Sequence, residues 1–96
     1  MNREETIGLL AQHLRECQER YGVSKLWLFG SAARDESGPE SDVDILVEFD
    51  GPADSRRYFG LQFFLEDLLR RPVDLVTTRA LRPELQGRVE RERISV

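Results

Sequence analysis

The sequence predicts an α/β domain in which a small mixed β-sheet is flanked by helices. Three observations predict it. A long pattern of helical period opens the chain, three short apolar runs follow at wide intervals, and further segments of helical period separate and follow those runs. The 96 residues have the size of one domain, spanning 1–96, and the 40% of hydrophobic residues suffice for a modest core.

The first element is a helix over 3–21. Ile7, Leu10, Leu14, Cys17 and Tyr21 recur at three- and four-residue steps and form one stripe, and Gly22 ends it. Residues 25–29 read as a short strand broken by Gly30. A short helix is expected over 31–35, with Ser31 as its cap, followed by a loop over 36–41 that contains Gly38-Pro39. Residues 43–49 form a second strand, with Asp44 in its otherwise apolar opening, and Gly51-Pro52 and Asp54-Ser55 make another loop.

Residues 56–71 read as a helix with a broad apolar face. Gly60 weakens its start and Pro72 ends it. Tyr58, Phe59, Phe63 and Phe64 are more aromatics than one helix of a small domain usually buries, so some are expected to meet a partner. A third strand covers 73–77. The last helix covers 81–91, with Pro83 near its first turn and Leu85 and Val89 on one face; Ile94 and Val96 close the chain as a brief strand. His13 is expected at the surface and Cys17 in the core.

Composition narrows the function. A protein that grips a nucleic-acid backbone usually carries a basic excess, whereas the formal net charge here is -4, which disfavours direct nucleic-acid binding. Cys17 is the only cysteine, so no intrachain disulfide is expected and a structural zinc site is disfavoured. The opening MNREET does not resemble a signal peptide, and no apolar run approaches the roughly 20 residues that span a bilayer. A soluble, cytoplasmic protein without a membrane partner is the expectation. Of the 14 basic residues only Lys25 is a lysine, and arginine forks suit phosphates and carboxylates.

The most specific signal lies in LFGSAARDESGPESDVDILVEF. Gly30-Ser31 is followed, after ten residues, by Asp42-Val43-Asp44. Residues i and i+2 of a strand share a face, so Asp42 and Asp44 present two carboxylates side by side. Like charges that close are costly without a cation between them, and a divalent metal carrying a phosphate-bearing substrate is the natural candidate. Asp74 is a third acid inside an apolar strand, and a lone buried carboxylate needs hydrogen bonds or a cation. Taken singly, Gly30-Ser31 reads as a turn, Asp42 as a cap, and Asp44 and Asp74 as partners of arginines. Taken together, the spacings favour three carboxylates gathered at one site, able to hold two metal ions roughly 4 Å apart for in-line phosphoryl displacement.

These residues resemble the signature of the DNA polymerase β-like nucleotidyltransferase superfamily. The runs LFGSAAR, SDVDILVEF and RPVDLVT, with the closing LRPELQGRVERERISV, are similar to the minimal nucleotidyltransferases in particular. The resemblance implies that Gly30 and Ser31 seat the β- and γ-phosphates of ATP, and that Asp42 and Asp44 ligate two Mg²⁺ ions. It implies that Asp74 ligates the catalytic metal and takes the proton of the attacking hydroxyl, with Arg34 neutralising phosphate charge. The family often has glycine after this arginine, where this chain has Asp35. The resemblance further implies the antitoxin half of a toxin–antitoxin pair, which transfers AMP to a tyrosine of a HEPN-domain toxin in a hetero-oligomer. Neutralisation by binding alone, and nucleotidyl transfer to a small molecule or an RNA end, are the alternatives.

Overall fold

The computed structural model describes residues 2–34 and 42–96. The expected loop over 36–41, and Asp35 with it, lie outside the described residues.

Helix α1 (Arg3–Tyr21) has the expected bounds. Asn2 caps it by accepting from the Glu5 N–H at 2.8 Å, and Gly22 ends it in the left-handed conformation at φ 69. The chain then enters β1 (Val23–Phe29) directly, two residues before the expected start. The cause is a register shift between Val23 and Lys25, which lets Val23 bury and pair with Phe49 although exposed Ser24 and Lys25 follow it. Next come α2 (Gly30–Ala33), β2 (Val43–Phe49), α3 (Ser55–Leu69), β3 (Val73–Thr77), α4 (Pro83–Glu92) and β4 (Ile94–Ser95).

The structure departs from the sequence expectation at four further points. Ser31 is not a cap: α2 starts at Gly30, the cap position is Phe29, and no side chain caps it. Helix α3 is capped by Asp54, which accepts from the Arg57 N–H at 2.9 Å. It ends at Arg70, in the left-handed region at φ 57, before Pro72 is reached. Helix α4 starts at Pro83, so Leu81 precedes it and packs instead beside Trp27, Leu46 and Val89. His13 is half-buried: its Nδ1 lies 2.9 Å from the Leu9 carbonyl oxygen and its ring meets Phe64 edge-on.

The strands lie in the order β3-β2-β1-β4, with β1 antiparallel to β2 and β4 and β2 parallel to β3, so the sheet is mixed. Alternation along each strand gives the sheet two different faces. Leu26, Leu28, Val43, Ile45, Val47, Val73 and Leu75 form one with α1 and α3, where Leu10, Cys17, Leu61, Leu65 and Leu69 complete the core. The other face carries Trp27, Leu46 and Val89 of α4, with Phe29 and Val76 beside them. Helix α4 covers only part of that second face.

Strand β3 lies at the edge of the sheet, yet its outer backbone is engaged. Tyr58 donates its hydroxyl to the Leu75 carbonyl, and Gln62 donates to the Val73 carbonyl at 3.2 Å. The Val73 N–H donates to the Glu66 carboxylate at 3.0 Å. These three residues recur every fourth position of α3, so one helical stripe occupies the edge a further strand would use. Of the aromatic stripe, Tyr58 and Phe64 pack on the core, whereas Phe59 is 50% and Phe63 65% exposed.

Candidate active site

Parallel pairing of β2 with β3 sets Asp44 opposite Asp74, and antiparallel pairing of β1 with β2 sets Phe29 opposite Asp44. Phe29, Asp44 and Asp74 therefore form a lateral row across three strands, on the face that α4 leaves partly open. Asp42 precedes β2 and is exposed; alternation places it on the same face as Asp44. Asp74 was expected to be buried. It is exposed, because β3 is an edge strand and none of the described residues packs over its outer end on this face.

Gly30 follows Phe29 directly and sits at φ +66, where an L side chain is strained. A Cβ there would lie 3.0 Å from Asp44 Cγ and nearer still to its Oδ2. The glycine thus permits both the turn out of β1 and the close approach of the Asp44 carboxylate. Ser31 is half-buried in the first turn of α2, beside this contact.

The Asp44 carboxyl is pushed up from 3.8 to about 6. Burial is the largest cause, followed by the Asp74 charge, a hydrogen bond with Asp74 and the Asp42 charge, while Arg34 opposes the rise. Two carboxyls share a hydrogen bond only with a proton between them. Asp44 and Asp74 are thus a pair short of positive charge. Among the described residues no three His, Cys, Asp or Glu side chains gather closely enough to hold a metal ion, so the expected three-carboxylate cluster is drawn together as a pair with Asp42 beside it. The chemistry of the set fits a divalent cation nonetheless: oxygen donors only, and a repulsion that such a cation relieves in place of the proton.

Arg34 closes α2, its N–H donating to the Gly30 carbonyl at 3.2 Å. Its guanidinium meets Glu92 of α4 at 3.0 Å, and Glu92 also meets Arg88 at 3.4 Å. Glu92 and Arg88 were missed in the sequence, and no local spacing signals a partner 58 residues away. They line a groove of about 390 Å³ between β3 and α4, with Asp74 at one side and Phe29, Val76 and Leu85 among its apolar walls. A larger cavity of about 510 Å³, beside Pro52 and Arg79, lies at the far end of β2 from Asp44.

A glycine turn at the end of one strand thus lies beside paired acids on the next two of a mixed sheet, and comparison with known proteins gives the class of protein. The family described as "Nucleotidyltransferase domain" matches residues 10–96. The protein adenylyltransferase MntA of Thermococcus cleftensis is 39% identical over 93 residues, covering 97% of this chain and 94% of that protein. A solved structure named for the minimal nucleotidyltransferases superposes with a TM-score of 0.86 at 35% identity, covering 100% of this chain and 97% of that one. A solved toxin–antitoxin structure with AMP-PNP superposes at 0.70 with 25% identity, covering 99% of this chain and 72% of that one. The chain belongs to the minimal nucleotidyltransferases of the DNA polymerase β-like superfamily, and it is a nucleotidyltransferase. Among the described residues no helix is long and apolar enough to cross a membrane.

Proposed function

We propose that this chain transfers AMP from ATP to a tyrosine hydroxyl of a HEPN-domain toxin, in a Mg²⁺-dependent reaction, and so acts as the toxin's antitoxin in a hetero-oligomer. The observation that carries the reading is the lateral pair Asp44–Asp74 with Gly30-Ser31 against it. Its similarity to a protein adenylyltransferase over nearly its whole length supports a protein acceptor. The likeness to a toxin–antitoxin structure with AMP-PNP supports both the partner and the adenine nucleotide.

In this reading Ser31 offers its hydroxyl and N–H to the β- and γ-phosphates, and Gly30 admits them without a side chain in the way. Arg34, steered by Glu92, adds positive charge on the phosphate side. Asp42, Asp44 and Asp74 would hold two Mg²⁺ ions, which when bound supply charge neutralisation at the phosphates and lower the pKa of the attacking hydroxyl. Asp74 takes the proton of the tyrosine hydroxyl. The tyrosine oxygen bonds to the α-phosphorus, the bond from that phosphorus to the bridging oxygen breaks, and pyrophosphate leaves. The formal net charge of -4 also suits a soluble protein of the cytoplasm, where ATP and Mg²⁺ are supplied.

The test is the intact mass of the HEPN-domain toxin after incubation with this chain, ATP and Mg²⁺, with Asp42→Ala in parallel. Gains in AMP steps that vanish in the variant are expected. A stable complex with no mass gain from any of the four nucleotides would replace transfer by neutralisation through binding.

A further inference from the structure

We infer that the groove between β3 and α4 seats the aromatic ring of the acceptor tyrosine. The inference rests on the proposed transfer reaction and locates its acceptor. In-line displacement puts the attacking oxygen and the departing pyrophosphate on opposite sides of the α-phosphorus. The phosphate seat, Gly30-Ser31, follows β1, and the row of acids then runs outward through Asp44 to Asp74 on the edge strand β3. The attacking hydroxyl therefore arrives from the Asp74 side. On that side the surface opens into the groove of about 390 Å³, with Asp74 as a proton acceptor among walls of Val76, Leu81, Leu85 and Val89.

The apolar walls match the ring of a phenol, and with Glu92 held by Arg34 and Arg88, Asp74 is the carboxylate that meets its hydroxyl. The groove is on the same face of the sheet as Asp44 and Asp74, since Val76 alternates with Asp74 along β3. The charged residues Arg88 and Glu92 sit where the groove meets Arg34, and Arg82 is a further charged residue beside the apolar walls. A serine or threonine acceptor would leave those walls wet, so the groove also gives a reason for tyrosine over other hydroxyls.

Leu85 is the residue to change, because it lines the groove and is 43% exposed, so its replacement leaves the core intact. Leu85→Trp fills the groove and Leu85→Ala widens it. The rate of AMP transfer to the HEPN-domain toxin is measured for each, with calorimetric affinities for AMP-PNP·Mg²⁺ and for the toxin, and a thermal melt as the folding check. Leu85→Trp is expected to cut transfer by about a hundredfold, the scale of a small misplacement of reacting atoms. Leu85→Ala is expected to cut it less, and both affinities are expected to hold. Weaker AMP-PNP binding by Leu85→Trp would make the groove a nucleoside seat and overturn the inference. Loss of the complex, or transfer unchanged in both variants, would overturn it too. Absence of transfer by the unaltered chain would bring down the reaction itself, and is read before any variant is made.

Discussion

Gly30 and Asp44 compete for one volume: the position a Cβ would take on Gly30 is filled by the Asp44 carboxylate. Gly30 also holds a left-handed backbone at φ +66, so the two constraints add. Gly30→Ala is therefore expected to destabilise the fold by about 1–2 kcal/mol from backbone strain alone, and by more from the clash. The clash component is separable. In a double-mutant cycle measured by urea unfolding, Asp44→Ala should recover part of the loss caused by Gly30→Ala. Strict additivity of the two changes would mean that the contact carries no energy.

The raised Asp44 carboxyl makes a pH prediction whose sign is the reverse of the usual salt-bridged acid. Its value is about 6 in the folded chain against 3.8 ordinarily. Between those values the folded state keeps a proton that the unfolded state has lost, so stability falls as pH rises through this window and stays lowered above it. Asp44→Asn removes the effect. Thermal melts of the metal-free protein should place the variant above the unaltered chain at pH 7.5, with the gap closing near pH 4. Added Mg²⁺ should raise the melting temperature of the unaltered chain at pH 7.5 and leave Asp44→Asn almost unmoved. An equal gap at both pH values would mean that the Asp44 carboxyl is not raised in the folded chain.

Glu92 is expected to act through Arg34. The pair spans α2 and α4 at 3.0 Å, with side chains 37% and 30% exposed, so its worth to stability is small, about 0–1 kcal/mol. Its effect on nucleotide handling should be larger. Glu92→Gln is expected to raise KM for ATP with little change in kcat, and Arg34→Ala to do so more strongly, because an arginine on the phosphates contributes to binding. Equal KM values for all three proteins would place Arg34 outside the phosphate site.

Much of this was legible in the sequence, for reasons that differ by element. The stripe Ile7, Leu10, Leu14, Cys17 and Tyr21 located α1 to the residue, because helical period and a terminal glycine are both local signals. Gly30, Asp42, Asp44 and Asp74 stood out because acids and glycine are anomalous in apolar runs. What those residues meet is a matter of register. Only the parallel pairing of β2 with β3 brings Asp74 opposite Asp44, and only the antiparallel pairing brings Phe29 into the same row. The exposure of Asp74 depends on β3 being at the edge, and the Arg34–Glu92 pair on α4 folding back over α2. Such facts arise from long-range packing, which leaves no mark on a short window of residues. Ser31 was misread as a cap for a related reason: Gly30, with its positive φ, starts the helical turn one residue earlier.

The edge of β3 yields the last prediction. Tyr58, Gln62 and Glu66 occupy the Leu75 carbonyl, the Val73 carbonyl and the Val73 N–H. Removing one leaves a strand group without its partner, at about 1 kcal/mol for a neutral bond. Tyr58→Phe keeps the ring on the core and removes only the hydroxyl, so it should lower stability by about that amount. The double change Gln62→Ala with Glu66→Ala should do more than weaken the fold. It frees both outward groups of Val73, and an open edge strand is a template for pairing with another chain. Sedimentation at rising protein concentration should then show self-association that Tyr58→Phe and the unaltered chain lack. Because Asp74 lies between those two residues on the same strand, any pairing at that edge should also slow AMP transfer. A monomeric double variant with normal transfer would show that the α3 stripe supports β3 without guarding it.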